Sequence, residues 1–296
     1  MINTRREFRA LLRGLAFISP WLVGFCVFTL VPVSMSLYYS FCKYSMLKPP
    51  LFKGLDNYRG LLADPVFWKA LRNTFYFGAV ALPMGMIASL GIAMLLNNKI
   101  RGVTIYRTIV FLPSLVPAVA SAMLWLWLFN AKLGLINETL RAMGLSHPPQ
   151  WLDDPDWAMP ALILMSVWGI GNTVVIYLAG LQDVPRELYE AADIDGASTM
   201  RKAWHVTIPA ISPVIFFNLI MGIIGTLQVL TTPYIMTGGG PARATYFYTM
   251  YLYDSAFRDV KMGYASAMAW IQLLIVLILT ALAAWSGKRW VHYQGR

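Results

Sequence analysis

Apolar and polar positions alternate in blocks along this chain. Stretches without Asp, Glu, Lys or Arg run from Gly14 to Cys42, Asn73 to Asn98, Thr108 to Ala131, Trp157 to Gln182, Val206 to Ala242 and Met262 to Gly287. A helix crossing the hydrocarbon core of a bilayer needs about 20 apolar residues, and a charge at its centre costs about 2.5 to 3.5 kcal/mol on the insertion scale. Each stretch is long enough for one crossing. The pattern therefore predicts an all-α polytopic membrane protein: one domain over residues 1–296, with six transmembrane helices near residues 14–38, 73–96, 108–129, 159–181, 213–236 and 263–286.

Between the third and fourth spans, Leu133, Ile136, Leu140 and Leu145 follow a roughly helical period. His147-Pro148-Pro149 and the acidic Asp153, Asp154 and Asp156 come after them. This reads as a short surface helix followed by a solvated loop.

Composition supports the membrane reading. Hydrophobic residues make up 58% of the chain and charged residues 13%, against about 25% charged in a typical soluble domain. The net charge of +10 lies in short segments between apolar runs, which points to membrane topology and anionic lipid rather than nucleic acid. Arg5, Arg6, Arg9 and Arg13 precede the first run in the manner of a signal peptide. That run is longer than the 7 to 15 residues or so of a signal core, so it predicts a retained span.

An even number of crossings puts both termini on one side, and the basic N-terminus makes that side the cytoplasm. Segments 97–107 and 182–212 and the C-terminus then carry a slight excess of Lys and Arg in shorter stretches of chain. Lys43, Lys48, Lys53, Arg59, Lys69 and Arg72, in the first external loop, run against this assignment. Cys26 and Cys42, with the scattered His147, His205 and His292, have no metal-ligand spacing, and no cofactor is expected.

The longest cytoplasmic segment, 182–212, includes Asp183-Val184-Pro185-Arg186-Glu187-Leu188-Tyr189-Glu190-Ala191-Ala192-Asp193-Ile194-Asp195-Gly196. Pro185 suits a first helical turn, acidic residues suit the start of a helix, and Gly196 suits a left-handed helix end. On this helix Leu188, Ala191, Ala192 and Asp195 share a face with little side-chain bulk, open to the backbone of a partner. A second short helix, Ser198 to Val206, would carry Trp204 beneath the first, and Pro209 and Pro213 would lead into the next span. An ordinary solvated connector fits the same spacing.

Glu190-Ala191-Ala192, Asp195-Gly196-Ala197, Ile208-Pro209 and Pro213 resemble the EAA loop of permease subunits of binding-protein-dependent, type I ABC importers. Further segments resemble the carbohydrate-uptake branch, relatives of the maltose and glycerol-phosphate permeases. They are Gly54-Leu55-Asp56-Asn57-Tyr58, Leu71-Arg72-Asn73-Thr74, Phe111-Leu112-Pro113 with Trp125, Gly134-Leu135-Ile136-Asn137, Thr237-Gly238-Gly239-Gly240-Pro241 and Gly263-Tyr264-Ala265-Ser266-Ala267. The resemblance covers residues 10–286.

The resemblance implies the type I importer permease fold in a bacterial or archaeal plasma (inner) membrane, with both termini cytoplasmic. It also implies half of a pathway completed by a second, usually different, permease subunit. Two ATP-binding subunits would power it, and an extracytoplasmic solute-binding protein would deliver a sugar or oligosaccharide. Glu190 would be the acidic residue of the docking helix, Ala191 and Ala192 its contact face, and Gly196 its turn.

By the same landmarks, Trp168, Gly169, Asn172, Gly225 and Thr226 fall at sugar-contacting positions of the maltose permease. Gln228 joins them as a polar candidate on the fifth span, with Thr173, Asn218 and Thr231. Each has a second reading as glue between helices, worth about 0.6 to 2 kcal/mol. Apart from Gly169, most of these residue types differ from the maltose permease. Gly222, Gly225 and Thr226 stand where bulkier or amide-bearing groups occur there, which argues against maltose itself and towards a wider site.

The chain contains no G-x-x-x-x-G-K-[ST] phosphate loop, so ATP hydrolysis is expected on separate subunits. An ion-coupled transporter commonly needs a charge inside a span, and a membrane enzyme needs a convergent nucleophile, base or metal cluster. Neither pattern is present. Within the importer class a non-sugar solute such as glycerol phosphate remains the alternative.

Overall fold

The computed structural model describes residues 4–98 and 101–292, with side chains from residue 8 onward. Arg5, Arg6 and Arg296, which entered the charge reading, lie outside the described side chains. The chain divides into two compact units, residues up to 64 with 252–271, and residues 65–251 with those from 272 onward.

In the first unit, α1 (Thr4–Phe25) passes through a π-helical turn (Cys26–Leu30) into α2 (Val31–Ser40). Pro32 explains the wide turn: it has no N–H to give to a carbonyl one turn earlier, and its ring needs room there. From Phe8 to Ser40 this is one apolar run of 33 residues, and the chain itself buries none of its apolar window. Phe17 is 91% exposed and Phe28 81%, so the surface requires another apolar phase.

A short hairpin follows, β1 (Cys42–Ser45) antiparallel to β2 (Lys48–Phe52). It is an addition to the all-helical expectation, and Pro49 and Pro50 in β2 account for it by barring a helix. On α3 (Asp56–Ala63), the Asn57 amide donates to the carbonyls of Ser40 at 2.8 Å and Cys42 at 2.9 Å. The Tyr58 hydroxyl donates to Ser40 Oγ at 2.8 Å. At the start of the last helix, a Cβ on Gly263 would collide with the Cys42 carbonyl, and the Tyr264 hydroxyl donates to Asp64 Oδ2 at 2.8 Å. Two separated family-like motifs thus meet around one loop.

The second unit is organised on α4 (Pro65–Leu96), an unbroken helix of 32 residues that begins well before the expected 73. It packs against α8 (Pro155–Trp168), α9 (Gly171–Gln182) and α13 (Ser212–Leu227). The third apolar stretch, expected as one span near residues 108–129, is bent by 99°. Its first part, α5 (Val103–Phe111) with a 3-10 turn (Leu112–Leu115), meets α6 (Ala118–Leu128). Pro113 and Pro117 supply the break, because each removes a helical N–H and restricts the residue before it.

The fourth stretch bends by 46° between α8 and α9. A Cβ on Gly171 would lie 2.7 Å from the Val110 carbonyl oxygen and 3.0 Å from Phe111 Cα, so the break sits where two backbones touch. The fifth stretch runs through α13, an irregular Gln228-Val229-Leu230, and α14 (Thr231–Met236). After the Gly-rich turn and α15 (Tyr248–Tyr253), α16 (Met262–Trp290) closes the chain. Among the described residues four helices are long and apolar enough to cross a membrane, and six crossings result when each bent pair counts as one.

Three further motifs tie connections. Asn73, 6% exposed, donates to the carbonyls of Arg243 and Tyr246 at 2.8 and 3.1 Å. Asn137, 1% exposed on α7 (Leu135–Ala142), donates to the carbonyls of Ala131 and Pro149 and accepts from Trp151 Nε1 at 2.7 Å. Asp154, expected in a solvated loop, instead caps α8 by accepting from the Asp156 N–H. Gly238 and Gly239 take positive φ in the turn from Thr237 to Pro241.

Candidate functional site

The segment after α9 forms α10 (Arg186–Ile194). Pro185 is its N-cap, at ψ 133°, rather than a residue of its first turn. Its C-terminus is closed as the sequence suggests: the Ala197 N–H donates to the Ala192 carbonyl at 2.9 Å and the Gly196 N–H to that of Asp193 at 3.1 Å, with Gly196 at φ +70°. This Schellman pairing satisfies carbonyls that a helix end otherwise strands and fixes where the chain turns back.

Leu188, Glu190, Ala191 and Asp195 are exposed, whereas Tyr189 and Ala192 are half-buried. The outward ridge is therefore Leu188, Ala191, Ile194 and Asp195, with Ala192 on its flank. Ile194, 88% exposed, was missed by the sequence reading although it lies three residues after Ala191.

The turn leads into α11 (Thr199–Lys202), capped by Ser198, then a π-helical turn (Ala203–Thr207) and α12 (Ile208–Ala210). The short helix expected over Ser198 to Val206 is thus present and runs on to Ala210, with a π-helical section in its middle. Trp204 does not pack beneath α10; it is 61% exposed. Polar contacts and the ring of Tyr189, packed on a buried cluster, hold the segment. Tyr189 and Thr207 share a hydrogen bond between their hydroxyls at 3.0 Å, and Lys202 Nζ lies 2.7 Å from Asp193 Oδ1. Below them, Val184 and Ile211 join a buried cluster with Tyr177, Leu178 and Leu181 of α9.

Two cavities open among the bent helices. The first, about 280 Å³, has Trp168 and Gly169 on its wall with Phe77, Ser114, Ser121 and Thr232. The second, about 350 Å³, has Gly225, Thr226, Thr173 and Asn218 on its wall. Both are near the lower end of ordinary small-ligand sites, roughly 300 to 1,000 Å³, and they share Phe77, Ser166 and Val229 as a partition. No Asp, Glu, Lys or Arg lines either one.

Three hydroxyls on these walls donate back along their own segments. Ser114 donates to the Phe111 carbonyl at 2.7 Å, Ser166 to that of Ile163 at 2.6 Å, and Thr226 to that of Gly222 at 2.8 Å. Their lone pairs remain to accept from hydroxyl donors. Trp168 meets Trp125 edge to face at 6.0 Å between centroids, and the buried Trp125 Nε1 has no hydrogen-bond partner. Asn172 and Gln228, expected on the path, are exposed and line neither cavity.

The two glycines of α13 separate. A Cβ on Gly222 would collide with Leu82 of α4, whereas one on Gly225 meets nothing within 4 Å. Both line the second cavity, Gly222 where Leu82 approaches it and Gly225 where the space is open.

The family model for the binding-protein-dependent transport system inner membrane component matches residues 81–292. The probable ABC transporter permease protein YesP of Bacillus subtilis (strain 168) is 39% identical over 289 residues, 96% of this chain and 93% of that protein. The lactose transport system permease protein LacF of Rhizobium radiobacter is 37% identical over 283 residues, 93% of this chain and 94% of its own length. A chain from the crystal structure of a bacterial ABC transporter involved in the import of the acidic polysaccharide alginate superposes with a TM-score of 0.84 at 22% identity. That match covers 97% of this chain and 98% of the other, and it shows a shared fold.

Proposed function

The chain belongs to the family of binding-protein-dependent transport system inner membrane components, and we propose that the solute it passes is an uncharged sugar or oligosaccharide. In this reading it forms half of the pathway beside a second permease subunit, most simply a different one. An extracytoplasmic solute-binding protein delivers the saccharide, and two separate ATP-binding subunits supply the energy. Both termini and the segment 182–212 face the cytoplasm.

The observation that carries the coupling role is the closed, outward α10. Leu188, Ala191 and Ile194 form an apolar ridge of low relief, flanked by Glu190 and ended at Gly196 by paired backbone hydrogen bonds. Such a ridge suits a groove on the ATPase, as helix-in-groove recognition requires. The contacts from Tyr189 to Thr207 and from Lys202 to Asp193 link it to the start of α13. A rigid-body shift of α10 would then reach the spans.

The solute class is supported by the chemistry of the two cavities. Their walls combine aromatic faces with hydroxyl acceptors and carry no ionised side chain, which suits an uncharged polyhydroxyl compound better than glycerol phosphate. Reconstitution with the neighbouring binding protein, second permease and ATPase tests this. Stimulation of ATP hydrolysis by a saccharide-loaded binding protein is the expected result. Stimulation by amino acids or peptides alone would defeat the saccharide assignment.

A further inference from the structure

A third cavity, about 300 Å³, runs along α9 from Gly171 to Gln182, between the second half of α5 and the end of α4 at Leu96. Its wall is apolar, with Val110, Phe111, Val174 and Val175, except for Arg107 and Gln182. Arg107 Nη2 donates to the carbonyl of Leu96, the last residue of α4, at 3.0 Å. Its Nε is buried and has no hydrogen-bond partner, and no carboxylate among the described residues pairs with it. A guanidinium stays protonated and offers five donors in a planar fork. This one has an ionic partner in none of the described carboxylates and turns a buried, unanswered donor towards an apolar wall, an arrangement that an anion would satisfy.

We propose that this cavity binds the phosphate of an anionic phospholipid. The anion answers Arg107. A free phosphate would leave the apolar walls unmatched, whereas the hydrocarbon of a lipid covers them. Val175 is 47% exposed, so the cavity opens onto apolar outer surface along which an acyl chain can continue. The height of Arg107 also fits, because it is tied to Leu96 at the end of α4 and shares the cavity with Gln182 at the end of α9, next to the segment 183–211, where head groups meet the spans.

The test uses the full chain, purified in detergent and stripped of lipid, then titrated with dioleoylphosphatidylglycerol or dioleoylphosphatidylcholine under native mass spectrometry. The wild type should prefer the anionic lipid by about tenfold, the size of one charge-assisted hydrogen bond. Arg107→Gln keeps a polar donor near the position of Nε and loses the charge, so it should lose that preference, while Arg107→Lys should retain most of it. Should Arg107→Gln fail to fold, Val175→Asp, on the half-exposed wall, should abolish the preference instead. Unchanged preference in the folded Arg107→Gln or in Val175→Asp overturns the proposal. So does displacement of the lipid by millimolar inorganic phosphate, which would make this a free-anion site.

Discussion

The segment 183–211 and the cavities among the bent helices differ in how their residues are brought together. In the segment, everything that shapes α10 lies within a few positions: Pro185 opens it, Gly196 closes it, and the Asp193 and Ala192 carbonyls find donors immediately downstream. In the cavities, Phe77, Ser121, Trp168, Thr226 and Thr232 come from separate helices and are brought together by tertiary packing, with two of the apolar stretches bent at Pro113 to Pro117 and next to Gly171. Local chemistry builds the first and tertiary packing builds the second. Substitutions should therefore act on coupling in the one and on solute or stability in the other.

The largest effect is expected where cavity and packing are easiest to confuse. Gly222→Leu should destabilise the folded chain by about 1 to 3 kcal/mol, because the new side chain must push aside Leu82, whose Cδ1 stands where its Cβ would be. Gly225→Leu should leave the melting temperature unchanged and reduce transport, since it enters open cavity. Melting in detergent, paired with uptake in proteoliposomes, separates the two, and equal destabilisation would erase the distinction.

Next in size is Gly196→Val, which forces a branched residue to φ +70° at a cost of about 1 to 2 kcal/mol. Binding-protein-stimulated ATP hydrolysis should fall about tenfold, as that strain implies, while membrane insertion is retained. Trp168→Ala removes an aromatic face from the first cavity. It should raise the apparent KM for the saccharide severalfold, about 1 kcal/mol, with complex assembly unchanged. Lys202→Met breaks a pair in which Asp193 is largely exposed, so stability should change by under about 1 kcal/mol.

This contrast explains what the sequence made legible. The closure of α10 at Gly196 could be read from residue types because it depends on neighbours along the chain. Ile194 was within reach of the same reasoning, as the residue one turn beyond Ala191. The bends were not. Pro113 and Pro117 were visible, but a proline in an apolar run predicts a kink without saying that it becomes a 99° break. Trp204 was expected beneath α10 and lies exposed, because the hydroxyl pair of Tyr189 and Thr207 holds that junction.

Several family-like motifs proved to be ties between loops, with Asn57, Asn73 and Asn137 each holding distant carbonyls. Their partners follow no short sequence spacing. Asn172 and Gln228 were grouped with the path as polar residues on apolar stretches, yet both lie outside the cavities, since helix phase near a break shifts from that of a straight helix.

The account's central claim is that a separate ATPase grips the spans through the Leu188 to Gly196 ridge. The most direct measurement is ATP hydrolysis by the reconstituted complex with saccharide-loaded binding protein, comparing the wild type with Ala191→Trp. Ala191 lies exposed at the middle of that ridge, where an indole leaves the fold intact and blocks close approach. The account predicts a normally inserted variant that neither retains the ATPase nor shows stimulated hydrolysis. Stimulation equal to the wild type would contradict it.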